Sequence, residues 1–138
     1  MGGAVTDQLG VVERALLDTS VVIAENVSPV PGVLAISAVT LAELHFGVLV
    51  AKTSQVRAER LRRLSVLERR FDPLPVDEQV AASYGRLAEA VVQAGRRPRG
   101  RVMDLLIAAT AHAHGAALYT RNPDDFVGLE GLVDVQAV

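Results

Sequence analysis

Short apolar blocks alternate with longer stretches at helical spacing along this 138-residue chain. "ALLD" (15–18) and "VLAIS" (33–37) have the length of buried strands, and the turn-rich "SPVPG" (28–32) separates them. Thr19 or Ser20 is placed to cap a helix after the first block. "AVTLAELHFGVLVAK" (38–52) predicts a mostly apolar helix. "SQVRAERLRRLSVLERRF" (54–71) predicts an amphipathic one, with Val56, Leu61, Leu64 and Leu67 at helical spacing among arginines. The prolines of "DPLPV" (72–76) suit an edge strand. "DEQVAASYGRLAEAVVQAG" (77–95) predicts a helix opened by acids and closed by Gly95. After the basic loop "RRPRGR" (96–101) comes a nearly all-apolar helix, "VMDLLIAATAHAHG", stopped at Gly115. "AALYT" (116–120) is a strand, "RNPDDF" (121–126) a loop or helical turn, and "LVDVQAV" (132–138) a last strand. Strands that alternate with helices predict an α/β fold on a parallel sheet, whose site opens beyond the carboxyl ends of the strands.

Composition narrows the picture. Length fits one domain over 1–138, with an N-terminal extension over 1–13. Half of the residues are hydrophobic and 4% aromatic, so the core is built from Val, Leu and Ala. A formal net charge of −2 rules out nucleic-acid binding through bulk charge and leaves only a local basic patch. There is no cysteine, which excludes disulfides and thiolate metal sites and suits a reducing cytoplasm. The opening "MGGAVTDQLG" lacks the positive region of a secretory signal, and no apolar stretch is long enough for a membrane span. A cytoplasmic location is therefore expected.

The acids carry the candidate chemistry. Asp18 closes the first strand, Asp104 opens the buried helix, Glu43 interrupts an apolar helix, and Asp124 and Asp125 follow the strand "AALYT". Carboxylates gathered in one cleft raise one another's pKa unless a cation neutralises them. Hard oxygen donors of this kind suit Mg²⁺ or Mn²⁺, which serve phosphodiester hydrolysis. Each acid also has a plain structural role open to it. Asp18 could cap a helix, Asp104 could stabilise a helix start, and Asp124 and Asp125 could be turn residues. "TLAE" (40–43) matches a capping box. A helix starting at Thr40 would tie Glu43 to a backbone N–H, whereas one starting at Ser37 would free it to face the cleft.

"LLDTSVVI", "ISAVTLAELHFG", "DLLIAATAHAHGAALYTRN" and "DDF", in this order from Leu16 to Phe126, resemble the PIN-domain family. The likeness is strongest to the toxin ribonucleases of VapBC toxin–antitoxin pairs. The resemblance implies a parallel sheet of four or five strands with helices on both faces. It implies Mg²⁺- or Mn²⁺-dependent endoribonuclease activity, often on tRNA or ribosomal RNA, restrained by a cognate VapB-type antitoxin, and a homodimer paired through helices. Asp18, Glu43 and Asp104 match the family's metal-binding acids. Thr19 and Ser20 match the small polar residues beside the first acid, and Thr120 and Asp124 are further supporting polar groups. Where many members carry a fourth Asp, this chain has Asn122, and Asp124 or Asp125 could supply the missing charge. Asn122 and Asp125 therefore join the candidate catalytic set.

Arg99 and Arg101, just before Asp104, and Arg121 are candidates to guide RNA phosphates, or else solvate the surface. Leu44, Phe46, Val48 and Leu49 could line a groove for an antitoxin helix or belong to the core. His45, His112 and His114 invite a metal reading, but His112 and His114, two apart on a helix, do not share a face, and a structural role is the plainer reading for all three. A dehalogenase-type phosphatase needs D-x-D, and Ser20 stands where its second acid would be. A signalling receiver needs a late lysine, and Lys52 is the sole lysine. The remaining alternative is a catalytically weak or inactive PIN-fold module that binds RNA or protein.

Overall fold

The computed structural model describes residues 13–25 and 29–138. Apart from Glu13, the expected N-terminal extension lies outside the described residues, as does the start of the 28–32 turn. Four strands form one sheet: β1 (Arg14–Leu17), β2 (Val33–Ala35), β3 (Ala117–Thr120) and β4 (Val135–Ala137). Their order is β2-β1-β3-β4 and every pairing is parallel. Leu16 is level with Ala35 on one side and Leu118 on the other. Five helices connect the strands: α1 (Thr19–Val22), α2 (Ala38–Leu49), α3 (Ser54–Arg70), α4 (Glu78–Gln93) and α5 (Val102–Ala113). A 3₁₀ turn spans Pro123–Phe126.

Alternation along β1 divides the core between the two faces of the sheet. Leu16 and Leu118 point into the larger cluster, built with Val80 and Leu87 of α4, and with Leu105, Ile107 and Ala111 of α5. Leu17 joins Val21 and Ile36 in a second cluster, covered by Leu41, Phe71 and Tyr119. The helices therefore serve both faces, as the alternating pattern requires. Small residues on α5 let it lie close to the sheet and to α4: Ala108, Ala109 and Ala111 are fully buried.

Four local expectations change. The second strand is not buried: β2 lies at the edge of the sheet, with Val33 and Leu34 exposed. "DPLPV" forms no full strand; it contributes one parallel bridge, Leu74 to Ser37, beside the end of β2. The last strand is confined to Val135–Ala137, because Leu129–Leu132 are used in a turn. Neither Thr19 nor Ser20 caps α1. The cap position is Asp18, and its side chain makes no capping bond because it is held elsewhere.

A carboxylate cluster at the carboxyl edge of the sheet

The chain leaves β1 toward β2 on one side, while β3 lies against β1 on the other. Such a reversal opens a crevice at the carboxyl ends of the two central strands. Asp18 stands there, the residue after β1, with its backbone N–H donating to Tyr119 O at 2.9 Å. Asp18 as a whole is 5% exposed. Burying a carboxylate costs several kcal/mol unless donors replace its water, on the order of the desolvation of a single ion. Two hydroxyls do so: Ser20 Oγ and Thr120 Oγ1 each donate to Asp18 Oδ2 at 2.8 Å. Thr120 is wholly buried, and its hydroxyl also accepts the Asn122 N–H at 2.9 Å. Ser20 Oγ accepts from the Arg121 N–H at 3.0 Å, which ties α1 to the end of β3.

Glu43 is brought in by the way α2 begins. Ser37 is the cap: its hydroxyl accepts the Val39 N–H at 3.0 Å, and the helix runs from Ala38. Of the two registers open in the sequence, the Ser37 start is the one adopted, so Glu43 lies beyond the first turn. Its Oε1 accepts a hydrogen bond from Thr19 Oγ1. Thr19 Oγ1 also lies 3.0 Å from Thr40 Oγ1, itself fully buried. Thr40 thus stands behind the hydroxyl that meets Glu43, a contact that the sequence reading missed. The signal was present: Thr40 precedes Glu43 by three residues, so the two share a helix face.

Asp104 occupies the first turn of α5. Its carboxyl is raised from its ordinary 3.8 to about 6, first by burial, then by the negative fields of Asp125, Asp18 and Glu43, while Arg101 pulls it down. The fields of Asp125, Asp18 and Glu43 all reach Asp104, so these expected acids share one electrostatic neighbourhood. Asp124 is exposed on the 3₁₀ turn, and Asn122 is exposed just before it without a side-chain capping bond. Among the described residues, no three histidine or acidic side chains stand close enough together to hold a metal ion as they are placed. Oxygen donors carrying like charges, with one already pushed toward protonation, are nonetheless the chemistry that a hard divalent cation neutralises.

The arginines separate. Arg99 and Arg121 are exposed. Arg101 instead turns inward, its Nη1 donating to the Asp125 carbonyl at 2.8 Å. The histidines have structural partners: His45 meets Glu68, His112 meets Ser83, and His114 meets Arg14. On α2, Val48 is core, Leu44 is partly buried, and Phe46 and Leu49 are 66% and 71% exposed. A cavity of about 920 Å³ is lined by Glu13, Ala117, Asp134 and Val135 near the starts of the strands and by Pro123 and Phe126 of the 3₁₀ turn. None of the clustered acids lines it.

A doubly covered parallel sheet with carboxylates gathered at its switch point defines an α/β protein with an acidic, hydroxyl-braced site. The PIN domain family matches residues 15–130, and the chain belongs to that family. It is 39% identical over 130 residues to Ribonuclease VapC5 of Mycobacterium tuberculosis, covering 89% of this chain and 93% of that protein. The crystal structure of VapBC-5 from the same organism, a member of the VapBC family of toxin–antitoxin systems, superposes with a TM-score of 0.78 at 39% identity. That alignment covers 91% of this chain and 97% of the other. FitAcB from Neisseria gonorrhoeae superposes with a TM-score of 0.70 at 31% identity, over 88% of this chain and 95% of that one.

Proposed function

We propose that this chain is a metal-dependent endoribonuclease and the toxin of a type II toxin–antitoxin pair. The observation that carries the chemistry is the convergence on Asp104 of burial first and then the negative fields of Asp125, Asp18 and Glu43, which together raise its carboxyl to about 6. The family supports it, and so do a relative named as a ribonuclease and a similar structure from a toxin–antitoxin system.

Asp18, Asp104 and Glu43 would hold Mg²⁺ or Mn²⁺, in keeping with the preference of these ions for oxygen donors. Such an ion supplies a Lewis acid for a phosphoryl oxygen and lowers the pKa of bound water. The chain's own residues prepare the site. Ser20 and Thr120 fix the Asp18 carboxylate, and Thr19, backed by Thr40, fixes that of Glu43. Donors fixed before substrate arrives need no reorganisation during reaction. At neutral pH Asp104 is ionised and available as a ligand, while below about 6 its proton competes. Exposed Arg99 and Arg121 would meet RNA phosphates, the substrate being tRNA or ribosomal RNA. Exposed Phe46 and Leu49 offer apolar surface to an antitoxin helix or to a second copy of the chain. No described helix is long and apolar enough to cross a membrane. With no cysteine in the chain, the cytoplasm is the proposed compartment.

The test is cleavage of total RNA by the antitoxin-free chain with Mg²⁺, with Mn²⁺ and with EDTA, beside Asp104→Asn. Discrete fragments that require metal and vanish in the variant are expected, and their ends identify the target. Asn122, where a fourth acid would strengthen the site, favours one other reading, a PIN-fold binding module without activity. A folded chain that binds RNA but yields no metal-dependent fragments establishes that reading instead.

A further inference from the structure

We propose that Arg101 is a positioning residue for the acid cluster: it straps the 3₁₀ turn that bears Asp125 onto the start of α5, rather than serving as a phosphate contact. In its kinetic part this inference rests on the ribonuclease reading.

Arg101 is the residue before α5, and its own backbone is fixed from both sides. Its N–H donates to Pro98 O at 2.9 Å and its carbonyl accepts from Leu105 N at 2.9 Å. The base of the side chain is therefore anchored to the helix that carries Asp104. From there the guanidinium reaches 24 residues ahead, donating to the main-chain carbonyl of Asp125 at 2.8 Å. Its Nη1 also lies 3.8 Å from Asp125 Oδ1. The side chain is 35% exposed, so the contact is partly shielded from water. A main-chain carbonyl is a partner that fixes where the turn lies, because it constrains backbone and not a mobile carboxylate alone. Phe126, next in sequence, is buried in the core and holds the other side of the same turn. The turn is thus pinned between an apolar anchor and a charged strap, which holds Asp125 within electrostatic reach of Asp104.

Charge supports the same assignment. Arg101 is the cation that acts on Asp104 against Asp125, Asp18 and Glu43. A guanidinium engaged in this way offers less of its donor fork to a phosphate than the freely exposed Arg99 or Arg121. The sequence alone groups all three as loop arginines; only Arg101 is turned toward the acids.

Three variants of the full-length chain test this: Arg101→Ala, Arg101→Gln and Arg101→Lys, with Arg121→Ala as comparison. The first measurement needs no activity: amide hydrogen exchange over residues 123–129 in metal-free protein. Arg101→Ala is expected to speed exchange at the Asp125 and Val127 amides, while α5 beyond its first turn keeps its protection. Unchanged exchange in the turn overturns the proposal. The second measurement is steady-state cleavage. Misplacement of catalytic groups by about 1 Å can cost on the order of a hundredfold, so kcat should fall about ten- to a hundredfold in Arg101→Ala, with KM little changed. Arg101→Lys, which keeps a charged donor, should recover part of that loss and Arg101→Gln less. The opposite split overturns the proposal: kcat retained, KM raised, and the salt dependence of RNA binding reduced by about 0.7 in log–log slope, as for one lost phosphate contact to a single strand. That pattern is expected of Arg121→Ala. If the unaltered chain cleaves no RNA, the ribonuclease reading falls, and the exchange experiment still decides the role of Arg101.

Discussion

Replacing Asp104 with Asn should stabilise the metal-free protein while abolishing its activity. In the folded chain the Asp104 carboxyl is held at about 6 against its ordinary 3.8, by burial first and then by its acidic neighbours. The folded state therefore binds this proton more tightly than the unfolded state does. Stability from this group is greatest below about pH 4, declines as pH rises from 3.8 to about 6, and stays at its lower level above that. At 1.36 kcal/mol per pKa unit, the full displacement corresponds to about 3 kcal/mol as an upper bound. Asp104 is partly open to water, and solvent screening leaves roughly 1 kcal/mol. Asparagine keeps the shape and removes the charge. In EDTA at pH 7.5 the variant should melt roughly 3 °C above the parent, given the entropy of unfolding for a domain of this size. The gap should nearly close at pH 4, where the parent is itself protonated. Adding Mg²⁺ at about a hundred times its Kd should reverse the order, since binding to the native state alone contributes about 2.7 kcal/mol. Thermal melts of both proteins across pH 4–8, with and without Mg²⁺, provide the assay. A variant that is less stable in EDTA at pH 7.5, or a gap that persists at pH 4, refutes the claim that burial and its acidic neighbours strain the ionised Asp104.

Three further outcomes are expected. Thr120→Val removes a buried donor to Asp18 and the acceptor of the Asn122 N–H; it should cost about 2 kcal/mol by urea unfolding and lower cleavage, and an unchanged midpoint would refute its role. Ser37→Ala removes the α2 cap and should cost about 1 kcal/mol, with faster amide exchange at Val39 as its signature. Ile107→Ala empties a fully buried site on α5 and should cost about 3 kcal/mol in the same unfolding experiment, without changing the metal requirement of the residual folded fraction.

Much of this protein is written locally. Apolar runs of strand length, helical spacing in 54–71 and 77–95, and Gly95 and Gly115 as stops all report interactions within a few residues, which a linear sequence displays. The acid at the end of the first strand was equally visible, because a charge in an apolar run has to be accounted for wherever the chain folds. Tertiary structure decided what local signals left open. Ser37 and Thr40 were both plausible starts for α2. The choice was made from outside the helix, by the bridge from Leu74, whose carbonyl accepts Ala38 N–H at 2.8 Å while its own N–H bonds Ile36 O at 2.9 Å. That pairing keeps the chain extended through Ser37, starts the helix at Ala38 and leaves Glu43 free to meet Thr19. The inward turn of Arg101 likewise depends on a turn 24 residues away. Thr120 meets Asp18 across 102 residues because β1 and β3 are neighbours in the sheet. Which residue types were available, and their periods, followed from the sequence by itself; which hydroxyl holds which carboxylate followed from strand order, since only packing brings distant donors within bonding range.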